Sequence, residues 1–149
     1  MFDNDTFYTV NFMNVTYWFW CNNAKLAELH EVAESEVSML HSAVFECEDA
    51  PFGRVIILSE DFTGTPIEMS IVEHEIGHII AGHTAMTVDE YQINNEIEAD
   101  SYVNDKAMFE QVLLRFKQLF NLPEYQVLDN ISFLKECTQR RLDAIRTRA

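Results

Sequence analysis

The chain of 149 residues is sparing with residues that punctuate or crosslink a protein, holding 4 glycines, 3 prolines and 3 cysteines. It is equally short of positive charge, with 10 Lys+Arg against 25 Asp+Glu and a formal net charge of −15. No repeat, low-complexity tract or interdomain linker interrupts it. Cys21, Cys47 and Cys137 are odd in number, widely spaced and in no CxxC pair. That excludes a disulfide framework and points to reduced thiols in a reducing compartment. So acidic a chain repels phosphate, which excludes sequence-independent nucleic-acid binding and disfavours anionic membrane surfaces. Long hydrophobic runs are missing too. The most apolar early stretch, residues 12–21, is interrupted by Asn14 and Thr16 and falls far short of a membrane span. The opening Met1-Phe2-Asp3-Asn4-Asp5 is acidic where a secretory leader would be basic, so a cytoplasmic location is expected.

What is present argues for a folded body. Hydrophobic residues make up 48%, with 11 Phe, 5 Tyr and 2 Trp, enough to build a core in spite of the charge. The length predicts a single domain over residues 1–149. The charge is unevenly spread. Residues 1–134 hold 5 basic and 23 acidic residues, whereas residues 135–149 hold 5 basic and 2 acidic. The arginine-rich end is the one segment where the acidic body could find its own counter-charge.

The periodicity predicts strands first and helices after. Tyr8, Val10 and Phe12 alternate with Thr9 and Asn11, as in a half-buried strand. Asn22-Asn23 offers a helix N-cap, and Leu26, Leu29, Ala33, Val37, Leu40 and Val44 recur at 3–4 spacing, predicting a helix of about six turns. His30 and His41 on it read as surface or boundary histidines. Residues 54–59 read as a buried or edge strand. Two capping boxes follow, Thr65-Pro66-Ile67-Glu68 and Thr87-Val88-Asp89-Glu90. The first opens a helix expected to end near Gly82 in a left-handed cap. The second opens a helix reaching toward Leu119, with a break expected around Asn104-Asp105. Asn121-Leu122-Pro123 stops it, and a last helix is expected from about Glu124, ending in Arg140, Arg141, Arg146 and Arg148.

The chemistry concentrates on the two capped helices. His74-Glu75-Ile76-Gly77-His78 places two imidazoles one turn apart on one helical face, a spacing that lets both reach one zinc ion. Glu75 lies beside His74, placed to touch a metal-held water. The third ligand is sought in Asn94-Asn95-Glu96-Ile97-Glu98-Ala99-Asp100, which begins 16 residues after His78. Glu96 and Asp100 are i, i+4 and share a face, whereas Glu98 is turned about 200° from Glu96. Glu96 is therefore the expected ligand. Asp100 could accept the remaining ring N–H of one ligating histidine, and Asn95 could hold the other. His83 does not fit the glycine and histidine spacing of metzincins and would point about 180° from His74 on a continuing helix, so it reads as structural. Tyr91 and Tyr102 read as packing residues.

The joint pattern, HExxH and then NExxxD with 17 residues between His78 and Glu96, resembles the gluzincins, zinc peptidases with two histidines and one glutamate on consecutive helices. The NExxxD segment is similar to that of thermolysin-type enzymes. His74 to His83, with Glu98-Ala99-Asp100, is more similar to the small minimal-domain peptidases of the HtpX and ImmA/IrrE groups. The close likeness covers residues 72–102. The chain carries neither the membrane helices of the HtpX group nor the accessory domains of thermolysin, and a domain this small suits, by analogy, a regulatory or a phage- or mobile-element peptidase. The resemblance implies an α+β fold, a mainly helical minimal zincin domain with a small sheet. It implies Zn2+ on His74, His78 and Glu96, with Glu75 as general base.

The expected activity is zinc-dependent endopeptidase. Zinc with three protein ligands keeps a fourth position for water and lowers that water's pKa toward about 7. Glu75 would take the proton and pass it to the leaving amine. A polypeptide substrate is expected to add as a strand at residues 54–59, with neither nucleic acid nor membrane as a partner. Two other readings use the same residues differently. One is a zinc-stabilised structural or assembly protein without turnover. The other is an acidic decoy that mimics nucleic acid.

Overall fold

The computed structural model describes residues 7–37, 42–83, 93–129 and 131–148. These form an α+β fold whose chain divides into two compact units, residues 1–76 and 77–149, with the division falling inside one helix. Among the described residues no helix is long and apolar enough to cross a membrane. Leu40, His41, Tyr91 and the capping box at residues 87–90 lie outside the described residues.

The first unit is built on a four-stranded mixed sheet. β1 (Tyr8–Phe12) and β2 (Val15–Cys21) are an antiparallel hairpin. Met13 and Asn14 join them with φ of 54° and 66°, the two positive values that match the twist of paired strands. α1 (Asn23–His30) follows, with Asn22 capping it by accepting from the Lys25 N–H at 2.7 Å. The predicted six-turn helix does not form. α1 ends after eight residues, where Glu31 turns left-handed (φ 57°) and its N–H bonds Ala27 and Glu28 carbonyls. Val44, expected on the helix, belongs instead to β3 (Ser42–Glu46). Helical spacing is overridden there by pairing with β4 (Arg54–Leu58), which is antiparallel to β3.

The strand order is β1-β2-β4-β3, with β2 and β4 parallel. β4 is thus paired on both sides, and its Val55, Ile56, Ile57 and Leu58 are fully buried, as expected of a strand covered on both faces. Residues 54–59 therefore offer no edge to a peptide, contrary to expectation, because both rows of backbone donors and acceptors are already used. β3 is a terminal strand of this sheet. On one face, Val55 and Ile57 pack with Phe7, Leu26 and Ala50, flanked by Trp18, Trp20 and Phe45.

α2 (Glu68–Ala81) begins in the first unit and ends in the second. Its start departs from the expected capping box. The Thr65 hydroxyl donates to the Phe62 carbonyl at 2.7 Å, and Glu68 Oε2 accepts from the Gly64 N–H at 3.3 Å. Its end matches expectation, with Gly82 at φ 77° directly after the helix.

The second unit continues with α3 (Ile93–Asp100), α4 (Lys106–Phe120) and α5 (Ile131–Arg148). The predicted break holds, and Asp105 caps α4 by accepting from the Met108 N–H at 2.9 Å. α4 buries Phe109, Val112, Leu113 and Phe120 along one stripe. α5 begins seven residues later than expected, because Pro123–Tyr125 forms a single 3-10 turn first. It packs against both α3 and α4, burying Cys137, Thr138, Arg141, Leu142 and Ile145. That places one arginine, the only charged residue among them, on this buried stripe.

Candidate metal centre

α2 is buried almost throughout its middle because apolar residues alternate there with site residues: Ile71, Val72 and Ile76 interleave with Glu73, His74 and Glu75. A helix buried in this way presents polar groups only where they find partners. His74 and His78 leave it one turn apart. Glu96, in the first turn of α3, lies 2.9 Å from His78, Oε2 to Nε2. His74, His78 and Glu96 each offer one ligand atom, and these atoms lie within 4.8 Å of one another. A tetrahedral ion with bonds of ~2.0–2.1 Å spaces its donors by about 3.4 Å, so small side-chain shifts suffice to seat one. Two imidazoles and one carboxylate are a donor set that zinc accepts with a fourth position open.

Glycine makes the helix contact possible. A Cβ on Gly77 would stand 2.6 Å from the Ala99 carbonyl oxygen, 3.0 Å from Ala99 Cα and 3.1 Å from Tyr102 Cδ2. No side chain fits there, so the backbone of α3 approaches the HEIGH segment directly. Tyr102 serves in packing at this contact, as its sequence position suggested.

Glu75 is buried, 3.8 Å from His74 Nε2, and its Oε1 accepts from Ser42 Oγ at 2.7 Å. The hydroxyl at the start of β3 thus fixes one carboxylate oxygen. Asp100 is held by an arginine. Arg141 Nε donates to Oδ2 and Nη2 to Oδ1, both at 2.9 Å, and Arg141 Nη1 stands 3.7 Å from Glu96 Oε1. Two buried carboxylates therefore share one guanidinium. A cation seated between Glu96 and His78 would help offset the cost of burying these carboxylates. Asn95 is half-buried on α3 next to Glu96.

His83, read from the sequence as structural, lies against the site. The chain leaves α2 at Gly82, the His83 N–H returns to the His78 carbonyl at 2.9 Å, and His83 Nδ1 comes to 2.8 Å from His78 Nδ1. Its Nε2 is 2.9 Å from Glu98 Oε1. Ser42, Gly77, Arg141 and the His83–Glu98 pair are site features that sequence reasoning missed. The 3–4 spacing of the α5 stripe was a usable signal for Arg141, and the expected cap at Gly82 was one for His83. Ser42 carried none.

The cysteines form no part of this chemistry. No disulfide joins Cys21, Cys47 or Cys137. Burial pushes the Cys21 thiol from its ordinary 9.0 up to about 11, the opposite of what a nucleophilic cysteine requires. Comparison with known proteins finds no matching family, curated protein or solved structure.

Proposed function

We propose that the chain is a zinc-dependent endopeptidase of gluzincin type. The observation that carries this reading is the convergence of His74, His78 and Glu96, with a buried Glu75 one residue from the first histidine. A zinc ion held by these three residues supplies Lewis acidity toward a peptide carbonyl and toward water.

The rest is done by the chain's own groups. With Oε1 occupied by Ser42, Glu75 has Oε2 to accept a proton from water and deliver it to the leaving amine. A residue fixed in this way loses little freedom at the moment of reaction. Arg141 anchors Asp100 and lies beside Glu96, which limits how that carboxylate can rotate. An extended peptide would add to the outer edge of β3, supplying main-chain hydrogen bonds along residues 42–46. Ser42 lies on that strand, so the added peptide would pass the residue that holds Glu75.

Glu75 also separates this reading from a structural zinc protein, since a purely structural site has no use for a base and closes its fourth position with another ligand. The test is cleavage of unstructured peptides by wild type and Glu75→Gln, with zinc content measured in both. Chelator-sensitive cleavage that is lost in Glu75→Gln while zinc is retained supports the proposal. Zinc at one equivalent with no cleavage, or cleavage unchanged in Glu75→Gln, contradicts it.

A further inference from the structure

His78 has two ring nitrogens, and the structure gives each a different neighbour. Nε2 faces Glu96 Oε2 at 2.9 Å, which makes it the nitrogen aimed at the metal position. Nδ1 faces His83 Nδ1 at 2.8 Å, and His83 Nε2 in turn faces Glu98 Oε1 at 2.9 Å. The two rings meet edge to face, 5.1 Å between centroids at 64°. His83 itself is held by the backbone. Gly82 takes φ 77°, which an L side chain rarely adopts, and the His83 N–H bonds the His78 carbonyl.

We propose that His83 and Glu98 are positioning residues that hold His78 in the tautomer coordinating through Nε2. This inference rests on the metal-site reading above. When Nε2 gives its lone pair to a metal, the neutral ring must carry its proton on Nδ1. That proton points at His83 Nδ1, which accepts it, leaving the His83 proton on Nε2 and directed at the Glu98 carboxylate. Every donor in this chain meets an acceptor, and only one direction is consistent. A carboxylate acting through an imidazole orients a ligating histidine and raises its basicity. Here a second histidine extends that link by one member. The His83 side chain is 9% exposed and that of Glu98 55%. The bond between the rings is therefore shielded, while the outer carboxylate is partly screened by water. His83 carries the larger share of the effect.

The test uses the full chain and zinc as the probe. Affinities of wild type, His83→Ala, His83→Asn and Glu98→Ala are measured by competition with a chromophoric chelator, and the His78 tautomer is read by long-range 1H–15N correlation on histidine-labelled, zinc-loaded protein. His83→Ala is expected to weaken zinc by about 10- to 100-fold and to remove the hydrogen-bonded Nδ1–H signal of His78. His83→Asn, whose amide oxygen accepts near the Nδ1 position, is expected to recover most of the affinity, which a merely structural role would not require. Zinc binding by His83→Ala within twofold of wild type, with the His78 signal unchanged, overturns the proposal. Should His83→Ala fail to fold, Glu98→Ala decides at an exposed position. A weakening of a few fold with a shifted His83 Nε2–H resonance supports the relay, and no change in either overturns it. Wild type that takes up no zinc would instead overturn the metal-site reading itself.

Discussion

Arg141 closes a bidentate ion pair on Asp100, with two hydrogen bonds of 2.9 Å and both residues buried. The pair joins α5 to the end of α3, the helix that carries Glu96, and it explains one of the five basic residues gathered in the last fifteen positions. The counter-charge that the acidic body needs is partly internal. By contrast, Arg140 pairs with Glu136 on the surface, where an exposed ion pair contributes little.

Removing one partner of a buried pair leaves an uncompensated charge. Arg141→Met is expected to cost about 3–5 kcal/mol, seen as a fall of about 6–20 °C in Tm for a chain of this size. Arg141→Met combined with Asp100→Leu should cost less than the single change, because the buried Asp100 charge is removed together with its partner. Thermal unfolding followed by circular dichroism checks both. A single variant within 2 °C of wild type would show that the pair does not hold the helices together.

Gly77→Ala sets a methyl group against the Ala99 carbonyl, at a separation that real Cβ atoms do not adopt. α3 must move outward, costing about 1–3 kcal/mol by analogy with overpacked cores, and Glu96 moves with it. Both Tm and zinc affinity are expected to fall. In an exposed helix the same change would stabilise, since alanine is the better helix former, so the sign of the effect alone tests the close approach.

The Cys21 thiol is raised to about 11, chiefly by burial, with a hydrogen bond from Thr63 opposing and the Glu68 and Glu60 carboxylates reinforcing the shift. At pH 8 its thiolate fraction is about 100-fold below that of an ordinary thiol, and alkylation should be slower to match. The rate should rise about tenfold per pH unit until near 11. The folded state keeps its proton over pH 9–11 while the unfolded state loses it, so stability falls as pH rises through that window. Iodoacetamide labelling read by mass spectrometry is the check, and a rate that levels off near pH 9 would refute the shift.

Local signals in the sequence were dependable where one helix or one turn decided the outcome. Asn22 as a cap, Gly82 as a helix stop and the break before Lys106 each follow from short-range hydrogen bonding. The i, i+4 histidines and Glu96 were legible because ligand spacing on a helix is itself local geometry, and the three do converge. What failed was decided at long range. The 3–4 spacing of residues 26–44 suggested a long helix, yet Val44 pairs with Ile56 in the sheet. Residues 54–59 looked like an available edge, but the apolar run that marks a strand does not say how many neighbours it has, and β4 has two. The bidentate partner of Asp100, Arg141, lies 41 positions away in sequence, beyond the reach of local spacing. His83 was judged by projecting the helix beyond its end, whereas the left-handed Gly82 turns the ring back toward His78.

The most direct test of the account is the metal content of the purified chain and of its His74→Ala and Glu96→Ala variants after dialysis against dilute zinc. The account expects one equivalent of zinc in wild type and a loss of nearly all of it in each variant. Chelation should lower the Tm of wild type only, because a ligand that binds the folded state alone stabilises it by mass action. Wild type that holds no zinc and takes none up, or variants that bind as wild type does, would contradict it.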